Sequence, residues 1–173
     1  ADMLAKLGVR YDSEEARGLA EKVMSFINEE AKKASVELAK ERGVFPGFRE
    51  SIYNTGKQED RVRNATRTTI APTGTIGIIA DASSGIEPYF SLYFKHRDAD
   101  GVERLMGARL FEKFVEREKI DKKRLLEDLE KGKKLEDLDY VPQYIKDSFR
   151  TAKDISPKDH VLMQAAFQKY TDN

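Results

Sequence analysis

Ala71-Pro72-Thr73-Gly74-Thr75-Ile76-Gly77, followed by an apolar segment that closes at Ser83-Ser84-Gly85, is the most informative stretch of the chain. A β-rich run turns here, through proline, glycine and two threonines, into a helix start. The first turn of a helix carries backbone N–H groups without intrahelical partners, and the helix dipole adds partial positive charge beside them. Such a corner suits an oxyanion, above all a phosphate, with threonine hydroxyls as further donors. Gly74 lets the backbone approach a ligand closely, because no Cβ stands in the way. A plain turn between strand and helix fits the same residues. A Walker A loop does not, since no lysine follows Gly74 or Gly77, and a dinucleotide fingerprint would need glycine where Pro72 stands.

At 173 residues the chain is long enough for one domain with a real core. Lys+Arg and Asp+Glu balance at 31 each, so no net charge draws the chain toward nucleic acid or anionic lipid. No apolar run approaches the ~18 residues of a membrane span, and no signal peptide is visible; a cytoplasmic location is expected. Cysteine is absent, which removes disulfides, thiol nucleophiles and Cys-ligated zinc from these residues. His96 and His160 lie far apart, so no metal site is expected. Abundant Lys, Glu and Arg with few Asn and Gln match a thermophile's composition.

A single domain in three segments is expected: helical over 1–43, loop, strand, corner and second strand over 44–96, helical again over 97–173. Residues 2–7 read as a helix end closed by Gly8. Asp12 reads as an N-cap with Glu15 as its capping-box partner, opening a helix over 13–42 that stops at Gly43. Leu19, Val23, Phe26, Ile27, Ala34 and Leu38 form its apolar face. Phe45-Pro46-Gly47-Phe48 reads as a turn pinned on a core. Strands are expected over 66–71 and 89–96, with a short buried helix over 75–80 between them. Asp98-Ala99-Asp100-Gly101 supplies a hairpin-type turn. Met106, Leu110, Phe114 and Val115 mark a helix reaching about Lys119. The dense mixed charge of 116–142 reads as a solvated helical excursion broken at Gly132. Pro142 opens a short helix, and Ser156-Pro157 opens the last one. Two or three strands make a poor independent sheet, a first hint of a piece of something larger. Glu87, between Ile86 and Pro88, is expected to hydrogen-bond the loop backbone, and Asn64 to fix its own loop.

Three motifs in order, Arg63-Asn64-Ala65-Thr66, Thr69-Ile70-Ala71-Pro72-Thr73-Gly74-Thr75-Ile76 and Ser83-Ser84-Gly85-Ile86-Glu87-Pro88, closely resemble the large catalytic chain of ribonucleotide reductases. The adenosylcobalamin-dependent class II enzymes are the nearest match. Ala1-Asp2-Met3-Leu4, Tyr11-Asp12-Ser13, Phe45-Pro46, Ser51-Ile52-Tyr53 and the stretch from Met163-Gln164-Ala165-Ala166 to Tyr170-Thr171-Asp172-Asn173 agree as well. The resemblance implies a helix-rich α/β fold, part of the family's ten-stranded α/β barrel. It implies that Pro72, Thr73, Gly74, Thr75 and Ile76 hold the phosphates of a ribonucleoside di- or triphosphate, with Asn64, Gly77, Ser84, Gly85 and Glu87 supporting the loop. Pro72 has no N–H and would shape the turn.

The family's radical-bearing and reducing cysteines have no counterpart here, so no catalytic residue is assigned. Reduction would need the remaining parts of the reductase chain, and a homo-oligomer is a further possible assembly. Adenosylcobalamin belongs to the intact enzyme and is not expected on this chain alone. Gly77 replaces a serine common in the class II loop, and Asp81 replaces a glycine, where its charge would repel a nearby phosphate. The rival reading is a helical interaction or scaffold module that retains the loop without its activity.

Overall fold

The computed structural model describes residues 1–97 and 101–172. They fall into two compact units, one built from Ala1–Arg17 with Pro72–Val161, the other from Gly18–Ala71 with Leu162–Asn173. Both therefore join segments distant in sequence and cut across the three consecutive segments read above.

The first unit contains helix α1 (Asp2–Leu7), the start of α2 (Glu14–Arg42), α3 (Gly74–Ala80), strands β1 (Tyr93–Arg97) and β2 (Glu103–Gly107), α4 (Arg109–Arg117), α5 (Lys122–Glu130), α6 (Gln143–Ser148) and the start of α7 (Pro157–Gln168). Its core gathers Phe111, Val115, Leu125, Leu138, Val141, Ile145 and Phe149, all essentially inaccessible to solvent. Phe149 is the hub: Tyr89 stacks on it at 5.6 Å, and Phe111 and Phe114 meet it edge-on at 5.1 and 5.0 Å. Edge-to-face contact suits the ring quadrupole and adds to the burial of large apolar area.

The charged run over 116–142 is not a solvated excursion. Asp121 caps α5 by accepting from the amides of Lys123 and Arg124, and the run sends Leu125, Leu135, Leu138 and Val141 into the core. Each such side chain contributes roughly 1.5–3 kcal/mol on burial, which outweighs the preference of its charged neighbours for water because all of these but Asp128 stay outside. The charges also neutralise one another locally: Lys133 pairs with Asp128 at 2.9 Å, and Tyr140 donates to the same carboxylate at 3.0 Å.

Strand pairing departs from expectation. β1 and β2 form an antiparallel pair with Tyr93 opposite Gly107 and Arg97 opposite Glu103. Met106 is thus in a strand, and α4 starts only at Arg109. Tyr89 contributes an isolated parallel bridge to Thr151 instead of opening the strand. Residues 98–100 of the expected hairpin turn lie outside the described residues.

In the second unit, residues 66–71 form no strand among the described residues. A strand exists only through a partner. Here the amides of Arg67 and Thr68 instead donate to the Asp172 carboxylate. The Arg67 guanidinium grips the same carboxylate through Nε at 3.0 Å and Nη2 at 2.6 Å and lies 5.5 Å from the Tyr53 ring. Phe45 meets Phe48 and Tyr53 edge-on, so this aromatic turn packs, as expected. Asn64 is tied to α2: Ser35 donates to its Oδ1 at 3.1 Å, and its own amide donates to Ser35 Oγ at 3.0 Å.

α2 runs as expected, but Ser13 caps it by accepting from the Ala16 amide, while Asp12 pairs with Arg10 and Arg150. Its buried stripe is Ala16, Ala20, Met24 and Ser35; Phe26, Ile27 and Leu38 are exposed. Ser156 caps α7 over Asp159. No helix of the described residues is long and apolar enough to cross a membrane.

Candidate functional site: the corner before α3

Pro72 leads into Thr73, whose backbone is left-handed at φ 41°, ψ 26°. For a β-branched residue that conformation is an outlier, of the kind that costs about 1–3 kcal/mol and collects at functional sites. The first helical bond runs from the Gly77 amide to Thr73 O at 2.8 Å. The amides of Gly74, Thr75 and Ile76 precede it, and none donates to an acceptor among the described residues. All three residues are exposed. Three consecutive amides at the positive end of a helix, open to solvent, can receive an anion. Thr75 stands in the open beside them. Thr73 behaves differently: its hydroxyl is buried and takes no hydrogen bond among the described residues, so its contribution is the turn.

The far end of α3 is closed by Asp81, left-handed at φ 52°. Its amide donates to Ile78 O at 3.1 Å and that of Ala82 to Gly77 O at 3.0 Å, the pairing of a Schellman motif. Asp81 therefore occupies the position where glycine is usual. Four to six residues of helix lie between it and the open amides, a rise of about 8–10 Å, and Arg109 forms an ion pair with it. Its charge is thus paired with a guanidinium.

Gly77 is the one buried residue of α3. A Cβ there would stand 2.9 Å from Ser84 Oγ and 3.3 Å from Ala82 O, so the loop that follows lies directly against the helix. Gly85 turns this loop at φ 48°, and the Glu87 amide donates to Ser84 O at 3.3 Å. The Glu87 carboxylate is exposed and takes no hydrogen bond among the described residues, contrary to the expected role. That role belongs to residues the sequence reading passed over. Asp2 and Ser83 exchange hydrogen bonds, Tyr89 donates to the Asp2 carboxylate, and Tyr11 donates to Ile86 O at 2.7 Å. Burial, followed by the nearby Glu87 charge, pushes the Tyr11 hydroxyl up to about 12. The only sequence signal for Asp2 was its place in a quoted motif. Asn64 sits in the second unit, anchored to α2.

The expectation of a buried helix is overturned: Ile76, Ile78 and Ile79 are 62, 61 and 79% exposed. A cavity of about 300 Å³, bounded in part by Asp2, Ser84, Phe90, Met106 and Arg109, opens on the C-terminal half of α3, away from the open amides.

The sequence model of the ribonucleotide reductase barrel domain matches residues 1–173. The chain belongs to the ribonucleotide reductase family. A vitamin B12-dependent ribonucleoside-diphosphate reductase of Thermoplasma acidophilum is 47% identical over 173 residues, all of this chain and 22% of that protein. The protein of the same name from Mycobacterium tuberculosis is 36% identical over 172 residues, 99% of this chain and 24% of its own. The class Id ribonucleotide reductase alpha subunit of Actinobacillus ureae shares the fold with a TM-score of 0.78 at 24% identity, covering 98% of this chain and 29% of that one. The helix-rich α/β architecture is thus a segment of the reductase barrel, and the chain spans between a fifth and a quarter of the two B12-dependent reductases named above.

Proposed function

We propose that this chain supplies the corner that holds the phosphate tail of a ribonucleotide in a reductase catalytic chain of the B12-dependent kind. One observation carries the reading: three exposed amides, Gly74 to Ile76, without a partner among the described residues, on a strained turn at Thr73. Phosphate oxygens would accept from them, and the Thr75 hydroxyl would add a charge-assisted bond. Held by its tail, the ribose is delivered to the reacting groups in one orientation, which is catalysis by positioning. Those groups would come from the rest of the reductase chain, because no cysteine is present here to carry a sulfur radical or a reducing pair.

A second reading, a helical interaction module without nucleotide binding, is favoured by the exposed isoleucines of α3. Calorimetric titration with ribonucleoside di- and triphosphates separates the two. Binding by the wild-type chain that weakens about tenfold or more in Thr75→Ala, the scale of one hydrogen bond to a charged group, supports the corner. No binding by a chain whose circular dichroism is that of a folded protein supports the module.

A further inference from the structure

Three hydrogen bonds converge on Asp2 from a segment more than eighty residues away. Its amide donates to Ser83 Oγ at 2.9 Å, its Oδ2 accepts from the Ser83 amide at 3.1 Å, and its Oδ1 accepts from the Tyr89 hydroxyl. The residue next to Ser83 is Ser84, whose hydroxyl lies where a Cβ on Gly77 would come within 2.9 Å. Gly77 in turn closes the first helical bond, onto Thr73. A continuous run of contacts thus joins the α1 carboxylate to the turn that orients the open amides, and every member belongs to the first unit. An exposed seven-residue helix whose one buried residue is a glycine has little packing of its own to hold it. Its geometry depends on the loop behind it, and that loop is held by Asp2.

We infer that Asp2 is a positioning residue for the corner: through Ser83 it presses the 82–84 loop onto Gly77 and keeps the Gly74–Ile76 amides in one orientation. The consequence for ligand affinity rests on the phosphate-binding reading; the effect on α3 does not.

The test pairs hydrogen exchange over residues 73–80 with calorimetric titration of a ribonucleoside diphosphate. In Asp2→Ala, exchange in that segment rises and nucleotide affinity falls, each on the order of tenfold, the equivalent of one lost bond to a charged group. Asp2→Asn keeps an acceptor for Tyr89 but turns an NH₂ toward the Ser83 amide, so it falls between wild type and alanine. Tyr89→Phe leaves the Ser83 exchange intact and shows a smaller effect than Asp2→Ala. Gly77→Ala, which pushes the loop off from the other side, reproduces the Asp2→Ala pattern with Asp2 in place. Unchanged exchange over 73–80 in Asp2→Ala overturns the inference, as does a uniform rise across α4, α5 and α6, which a purely structural clasp would produce. If exchange rises only over 73–80 while the wild-type chain binds no nucleotide, the positioning role stands and the phosphate reading fails.

Discussion

Asp172→Ala would strand a guanidinium in the interior of the second unit. Both side chains of the Arg67–Asp172 pair are 8% exposed. The carboxylate accepts from Arg67 Nε and Nη2 and from the amides of Arg67 and Thr68. Removing it takes away both carboxylate acceptors of Arg67, and Nη1 has no partner among the described residues even in the intact pair. Breaking a buried pair from one side costs about 3–5 kcal/mol, and the Tyr53 ring at 5.5 Å offsets about 1 kcal/mol of that at most sites. The expected loss is therefore about 3 kcal/mol, a large share of the ~5–15 kcal/mol that holds an ordinary domain together. The chain has no tryptophan, so far-UV circular dichroism in urea is the assay, read as a fall in the transition midpoint. An Arg67→Met, Asp172→Leu double variant removes both charges together and should recover most of the loss, because apolar replacement of a buried pair is often neutral. A single variant within about 1 kcal/mol of wild type, well under the one-sided penalty, would refute the reasoning. So would a double variant as unstable as the single one.

The same carboxyl makes the second unit sensitive to acid. Burial alone would raise it, but the bonds from Arg67, side chain and backbone, outweigh burial and hold it below its ordinary value. A group depressed in the folded state stabilises above its unfolded value of ~3.9 and loses that contribution as pH falls through its folded value. Urea midpoints of wild type should thus drop below about pH 4, and Asp172→Ala should show a shallower drop. Phe149→Ala should destabilise the first unit by about 3–5 kcal/mol, because three aromatic rings lose their shared partner; thermal unfolding checks it. Ser13→Ala should cost about 1 kcal/mol through loss of the α2 cap, measurable by the same melt.

Features set by a few neighbouring residues were legible from the chain alone. Gly43 ends α2 and Ser156-Pro157 starts α7 where their local chemistry directs. Pro72, Thr73 and Gly74 announce a turn into a helix, and the absence of cysteine settles what chemistry these residues lack. Caps and turns act within about four residues, so sequence order contains them.

Strand identity, burial and distant hydrogen bonds belong to the tertiary structure, because each is a relation between segments with no fixed spacing. Residues 66–71 have strand composition, yet their amides go to Asp172. Residues 116–142 look solvated, yet one side of that run fills the core. α3 is apolar, yet it lies open. Asp2 carries no local sign that it holds Ser83. For Arg67 and Asp2 the deciding partner lies some eighty to a hundred residues away, and only the folded chain brings it within bonding distance.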